Sequence, residues 1–212
     1  MARKKQLAFV VELDRCIGCK GCQVACHMEN GTPLGTNRIK VHQVGPYGTF
    51  PELGMYFLPS MCQQCENPSC VRVCPTGAIW KNEADGVIEL DTDKCIGCQS
   101  CNRACPYHVN TFSETRNVMD KCTLCVNSRA SGDGPACVRN CAGRALHWGD
   151  LADPESEVSK LLREAGAEHV FALRDAGNHP SGRYILRREV WQDLLPGELE
   201  EAENRRRGGM GK

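Results

Sequence analysis

The chain has 212 residues, 26 basic and 26 acidic side chains and a formal net charge of zero. That balance gives no strong field for nucleic acid or an anionic membrane. Aromatic residues make up only 6% of the chain while 16 residues are Cys, so rings alone cannot build a large core and something else should help fill it.

The first predicted element is "LAFVVEL" (Leu7 to Leu13), a short strand rich in apolar and β-branched residues. It is far shorter than the roughly 20 apolar residues a bilayer requires. The opening "MARKKQ" is basic, but Glu12 and Asp14 interrupt the apolar stretch too soon for a secretory signal. The expectation is a chain with no membrane span or export address of its own. It would be cytoplasmic by default, or exported as the passenger of a signal-bearing partner and peripheral to the membrane.

The sixteen cysteines fall into four groups of four. The first is Cys16, Cys19, Cys22 and Cys26, and the second is Cys62, Cys65, Cys70 and Cys74. The third is Cys95, Cys98, Cys101 and Cys105, and the fourth is Cys122, Cys125, Cys137 and Cys141. Groups one and three share the spacing C-x2-C-x2-C-x3-C; group two widens its middle gap to four residues and group four to eleven. In bacterial ferredoxins this run gives three thiolates to one [4Fe–4S] cube and its fourth to another, so such motifs come in reciprocating pairs. The last Cys, after its three-residue gap, can begin a helix that points to the neighbouring cube. Gly18, Gly21 and Gly97 lie between ligands, where backbone must approach inorganic sulfide closely. Pro75 and Pro106 follow groups two and three, whereas His27 and Ala142 take that place in groups one and four.

Zinc is the competing assignment for the thiols, but zinc sites usually join two separate two-cysteine knuckles. Disulfides are disfavoured in a chain without a signal peptide.

Between groups one and two, "RIKVHQVG" and "MYFLPSM" read as extended segments around a turn-rich "PYGTFPELG", a β insertion suited to docking. Ala78 to Lys81 and Val87 to Leu90 read as a hairpin turning at "EADG". Cys62 to Cys105 thus has the outline of a complete two-cluster ferredoxin, enclosed in sequence by groups one and four. "VNSRASGDGPA", between Cys125 and Cys137, reads as a loop. Asp153, Pro154 and Glu155 predict a helix start, Val158, Leu161, Leu162 and Ala165 its apolar face, and Gly166 its stop. "HVFALR" and "RYILRR" read as short strands. The polar tail "PGELEEAENRRRGGMGK" shows no periodic apolar face and is expected to be disordered, or ordered only on a partner.

The expected fold is α+β: two interlocked bacterial-type 2[4Fe–4S] ferredoxin-like modules with a β insertion and a C-terminal extension. Residues 7–26 plus 106–150 would form the outer module, 27–61 the insertion and 62–105 the inner module. Residues 151–195 would form helix and strands, and 196–212 the tail.

There is no nucleophile–base pair, purposeful carboxylate pair or phosphate loop; "GGMG" lacks the flanking strand and helix. His27, His108 and His147 lie near cysteine groups whose thiol count is already complete, so packing or surface roles are expected. Lys20, Lys94, Arg103, Lys121 and Arg139 lie within or beside the motifs, where a cation would raise the potential of an anionic cluster; an ordinary solvated role is equally open. Trp80, Tyr107, Trp148 and Trp191 are expected to pack rather than relay electrons. What remains is electron transfer, by a chain that is not an enzyme alone.

With "CENPSCVRVCPTGAIW", "DKCIGCQSCNRACPY", "DKCTLC" and "WGDLADPESEV", the sequence resembles the iron–sulfur B subunits of the dimethyl sulfoxide reductase family over about residues 7 to 188. The resemblance implies four [4Fe–4S] clusters with exchanged ligands. Cluster A would use Cys16, Cys19, Cys22 and Cys141; cluster B would use Cys26, Cys122, Cys125 and Cys137. Cluster C would use Cys62, Cys65, Cys70 and Cys105; cluster D would use Cys74, Cys95, Cys98 and Cys101. It also implies a large catalytic partner carrying molybdopterin of the bis-guanine dinucleotide type (with molybdenum or tungsten). A membrane quinol-oxidising anchor or a soluble donor would complete an anaerobic respiratory reductase, or a soluble reductase or dehydroxylase. A stand-alone polyferredoxin shuttle and a Cys-rich zinc interaction module are the alternatives.

Overall fold

The computed structural model describes residues 4–209, and side chains through Arg205. The repeated phrase folds twice in the same way. Gly18 and Gly97 take φ of 66° and 68°, and Lys20 and Gln99 both take φ of 59°. These left-handed residues turn the chain around the first thiols and start helices α1 (Gly21–Asn30) and α3 (Ser100–Ala104). At Gly97 only glycine fits, because an added Cβ would lie 2.6 Å from the Asn117 carbonyl oxygen. Helix α1 begins before the third cysteine and carries both Cys22 and Cys26. The fourth thiol is therefore aimed by a helix already under way rather than one that starts there.

Groups two and four share a different device. Each has a left-handed residue in its first CxxC pair, Gln64 and Leu124, and then a proline leading a one-turn helix. These helices are α2 (Ser69–Arg72), after Pro68, and α5 (Ala136–Arg139), after Pro135. Helix α1 packs on α5, and α2 on α3. Group one thus lies beside group four, and group two beside group three.

Strand β1 (Leu7–Glu12) is buried throughout. It lies inside a four-stranded sheet between β8 (Leu146–Asp150) and β10 (Arg183–Ile185), with β9 (Val170–Phe171) at the far edge. Its pairing with β8 is antiparallel, Phe9 facing Trp148; its pairing with β10 is parallel, Val11 facing Tyr184. Helix α6 (Glu157–Ala165) covers one face and forms a small core of Val10, Val158, Ala165 and Ile185. The other face looks into the main core, where Phe9 and Val11 meet many of the cysteines. Here thiol-lined space takes the place of the missing rings.

The insertion forms a long hairpin, β2 (Ile39–Thr49) with β3 (Glu52–Met61), and its turn shrinks to Phe50 and Pro51. The predicted nine-residue turn is too wide, because Tyr47 pairs with Gly54 and continues the ladder past a bulge after Val44. The inner hairpin is β4 (Ile79–Lys81) with β5 (Ile88–Leu90), as expected. Strands β6 (Thr111–Ser113) and β7 (Val118–Asp120) form a further small hairpin that the sequence reading does not include.

Three further expectations need correction. The loop after Cys125 contains a helical turn, α4 (Val126–Ala130), whose start is set by the left-handed Cys125. The cap of α6 is Ser156, whose Oγ accepts from Ser159 N at 3.2 Å, and not Asp153, whose carboxylate instead accepts from Glu155 N in a local turn. The tail is helical, α7 (Pro196–Gly209), and packs on β2. Buried Leu199 holds it there, with the Lys40–Glu200 ion pair and a 3.7 Å contact between His42 and Glu203 beside it. Residues 210–212 of the tail lie outside the described residues.

Candidate iron–sulfur site

All sixteen cysteines are free thiols, and they gather into four mixed sets. Cys16, Cys19 and Cys22 from the start of the chain meet Cys141. They line one pocket, walled by Val41, Pro59 and Leu146. Cys26 leaves its own group and joins Cys122, Cys125 and Cys137 around a second pocket, walled by Phe9, Ile39 and Met61.

The remaining thiols sort in the same manner through their mutual repulsion. Burial, then the charges of Cys62, Cys105 and Cys70, drive the Cys65 thiol upward. Burial, then Cys95, Cys74 and Cys98, push the Cys101 thiol up to about 11. Burial raises Cys22 and Cys122 to about 12, with neighbouring thiols adding to the effect. Crowding acidic thiols into dry space is unfavourable unless a cationic centre takes their protons' place.

Three of the sets also present hydrogen-bond donors to sulfur. Met119 N lies 3.3 Å from Cys95 Sγ, Ala145 N lies 3.2 Å from Cys141 Sγ, and Leu124 N lies 3.5 Å from Cys122 Sγ. Asn30 Nδ2 reaches Cys26 Sγ at 3.6 Å and Cys125 Sγ at 3.9 Å, and its own oxygen accepts from Arg38 at 2.7 Å. Among the described residues, no three His, Cys, Asp or Glu side chains converge on a point that would suit a single metal ion. Sulfurs that surround a volume, with amides aimed at them, fit a polynuclear cluster better than one tetrahedral ion.

The sets adjoin one another in a row. The Cys137 thiol feels Cys22, Cys122 feels Cys62, and Cys70 feels Cys101. Exposure follows that order. All eight thiols of the two middle sets are buried, whereas each end set has one exposed thiol, Cys19 or Cys98. Ile17 and Ile96, equivalent residues of the repeated phrase, are 64% and 63% exposed at those ends.

The histidines stay outside the thiol sets. His27 Nε2 bonds to Asn37 at 2.9 Å, His147 Nε2 to Glu12 at 3.1 Å, and His108 is exposed. Trp191 stacks on Phe171 with centroids 5.1 Å apart, and Tyr107 is buried beside Cys65 and Cys105. Of the five cations beside the motifs, Lys20, Lys94, Arg103 and Arg139 are exposed and Lys121 is buried. Sequence reasoning does not single out Asn30 or Arg38; both lie outside the cysteine motifs, and no local pattern marks them.

Such a fold and thiol arrangement define a class, the iron–sulfur electron carriers. Comparison with known proteins agrees: residues 15–78 and residues 53–151 each match a family described as a 4Fe-4S dicluster domain. The chain is 36% identical to the B subunit of the sulfite dehydrogenase of Allochromatium vinosum, over 94% of this chain and 90% of that protein. It is 40% identical to the B subunit of the tetrathionate reductase of Salmonella typhimurium, over 94% and 80% of the two chains. It is also 40% identical to the thiosulfate reductase electron transfer subunit PhsB of Salmonella typhi, over 89% and 95%. The chain belongs to the iron–sulfur, electron-transfer subunits of the dimethyl sulfoxide reductase family. Among the described residues, no helix is long and apolar enough to cross a membrane.

Proposed function

We propose that this chain carries four [4Fe–4S] clusters in one row and conducts electrons to or from a molybdopterin catalytic subunit. Clusters A, B, C and D would be held by the four sets as the resemblance assigns them: Cys16, Cys19, Cys22 and Cys141; Cys26, Cys122, Cys125 and Cys137; Cys62, Cys65, Cys70 and Cys105; Cys74, Cys95, Cys98 and Cys101. When bound, the clusters supply one-electron redox chemistry. The chain's own residues hold them at fixed spacing, exclude water from the middle pair and leave the end pair accessible.

The observation that carries this reading is the burial gradient. Eight middle thiols are buried, and an exposed Cys marks each end. A carrier that serves two partners needs such open ends and an insulated middle, whereas a zinc interaction module does not. The exposed Ile17 and Ile96 give each end an apolar contact for a partner. One end would meet the molybdopterin subunit, and the other a membrane quinol-oxidising subunit or a soluble donor.

Anaerobic purification from the native host tests the proposal. The expected result is a brown complex with a large pterin-containing protein and about sixteen iron atoms per copy of this chain. Zinc in place of iron, or iron for two clusters only, would refute the four-cluster reading. A brown chain that purifies alone would favour a free shuttle.

A further inference from the structure

Lys121 is 1% exposed, deeper than any other cation beside the cysteine motifs. It directly precedes Cys122, on the seam where the second thiol set adjoins the third. Its Nζ donates to the Cys122 carbonyl at 2.7 Å and, more closely, to the Ile88 carbonyl on β5. The two acceptors belong to different halves of the molecule, so the ammonium is fixed from both sides. Both are uncharged, and the nearest carboxylate in sequence, Asp120, is engaged by Arg38 Nε at 2.6 Å. Among the described residues the ammonium makes no ion pair, in a poorly screened interior. Lys121 counteracts the rise of the Cys122 thiol in the second set and of Cys70 in the third. Lys81 also reaches this region, donating to the Cys65 carbonyl at 2.7 Å, but it is only half-buried.

We propose that the Lys121 ammonium raises the reduction potentials of the two central clusters, B and C, together, leaving the end clusters to be set by solvent and partners. This inference rests on the four-cluster reading above. A cluster gains one negative charge on reduction, and an unscreened cation nearby favours the reduced form. Buried between two clusters, one lysine can favour both; the exposed Lys20, Lys94, Arg103 and Arg139 are screened by water and salt.

The test uses the full chain with its clusters in place, in three forms: Lys121→Gln, Lys121→Met and Lys121→Arg. Iron content and the reduced-state EPR spectrum first establish whether four clusters are present; a wild-type chain without them refutes the reading beneath, not the lysine. Redox titration followed by EPR then gives four midpoints. The expected result is a roughly tenfold weaker reduction of two of the four clusters in the neutral variants, about 59 mV for one electron. The other two midpoints should be unchanged, and Lys121→Arg should stay near wild type. Four wild-type midpoints in a neutral variant would overturn the proposal, as would an arginine variant that falls as far as the glutamine one. If one neutral variant loses iron, the other is read. Loss of iron from both would also overturn it, assigning Lys121 a purely structural role.

Discussion

Replacing Cys26 is the sharpest test of the crossed ligand sets. Cys26 sits on α1 only four residues after Cys22, and both are 8% exposed, so position in the chain gives no reason to expect different effects. Their surroundings differ completely. Cys26 shares one pocket with Cys122, Cys125 and Cys137, while Cys22 shares another with Cys16, Cys19 and Cys141. On the proposed assignment, Cys26→Ala would remove one corner ligand of cluster B and put nothing in its place. The cube then either sheds one iron to become a three-iron cluster or is lost. Iron per chain would fall from about sixteen to between about fifteen and twelve. EPR of the oxidised protein should show a new three-iron signal, or the reduced spectrum should lack the contribution of cluster B. Combining Cys26→Ala with Cys125→Ala should remove no cluster beyond that one, because both residues would serve the same cube. Combining it with Cys22→Ala should damage two. The crossed assignment is refuted if Cys26→Ala and Cys22→Ala perturb one and the same signal.

Other outcomes follow from the same structure. Stripping iron by anaerobic chelation should unfold much of the chain, because the thiol-lined volumes then lack their filling; an iron-free chain with native far-UV circular dichroism would contradict this. Gly97→Ala should cost about 1–3 kcal/mol in chemical denaturation, since φ of 68° and the Asn117 carbonyl at 2.6 Å both oppose a side chain there. Ile185→Ala, in the small core under α6, should destabilise by about 2–5 kcal/mol while leaving all EPR signals intact, because that core lies apart from the thiols. Leu199→Ala should speed hydrogen exchange along α7 without altering iron content, since Leu199 is the buried apolar anchor of that helix.

The cysteine spacing makes the grouping of the thiols legible because that grouping is largely local: three of the four thiols in each set come from one short stretch of chain. The central sheet is not legible in that way. Strand β8 reads "LHWGD", a poor strand by propensity, and becomes one only because β1, some 140 residues earlier, offers it a ladder. The α7 helix escapes a reading by periodicity because its polar surface hides a single anchoring leucine. Lys121 reads like the four surface cations near the motifs, since nothing in "DKCTLC" says which side chain faces inward; that depends on Ile88, in the other half of the molecule.

The place of β1 also bears on how the protein can be made. Its two neighbours, β8 and β10, are synthesised about 135 and 170 residues later, and Cys16 finds Cys141 only across a comparable length of chain. While the ribosome is still at work, the first thiols have no finished sheet beside them and lack a fourth companion. The thiols at 62 to 105, by contrast, are all present within one short stretch. Metal delivery should therefore begin in the middle of the polypeptide and reach its beginning last, after translation has passed residue 185.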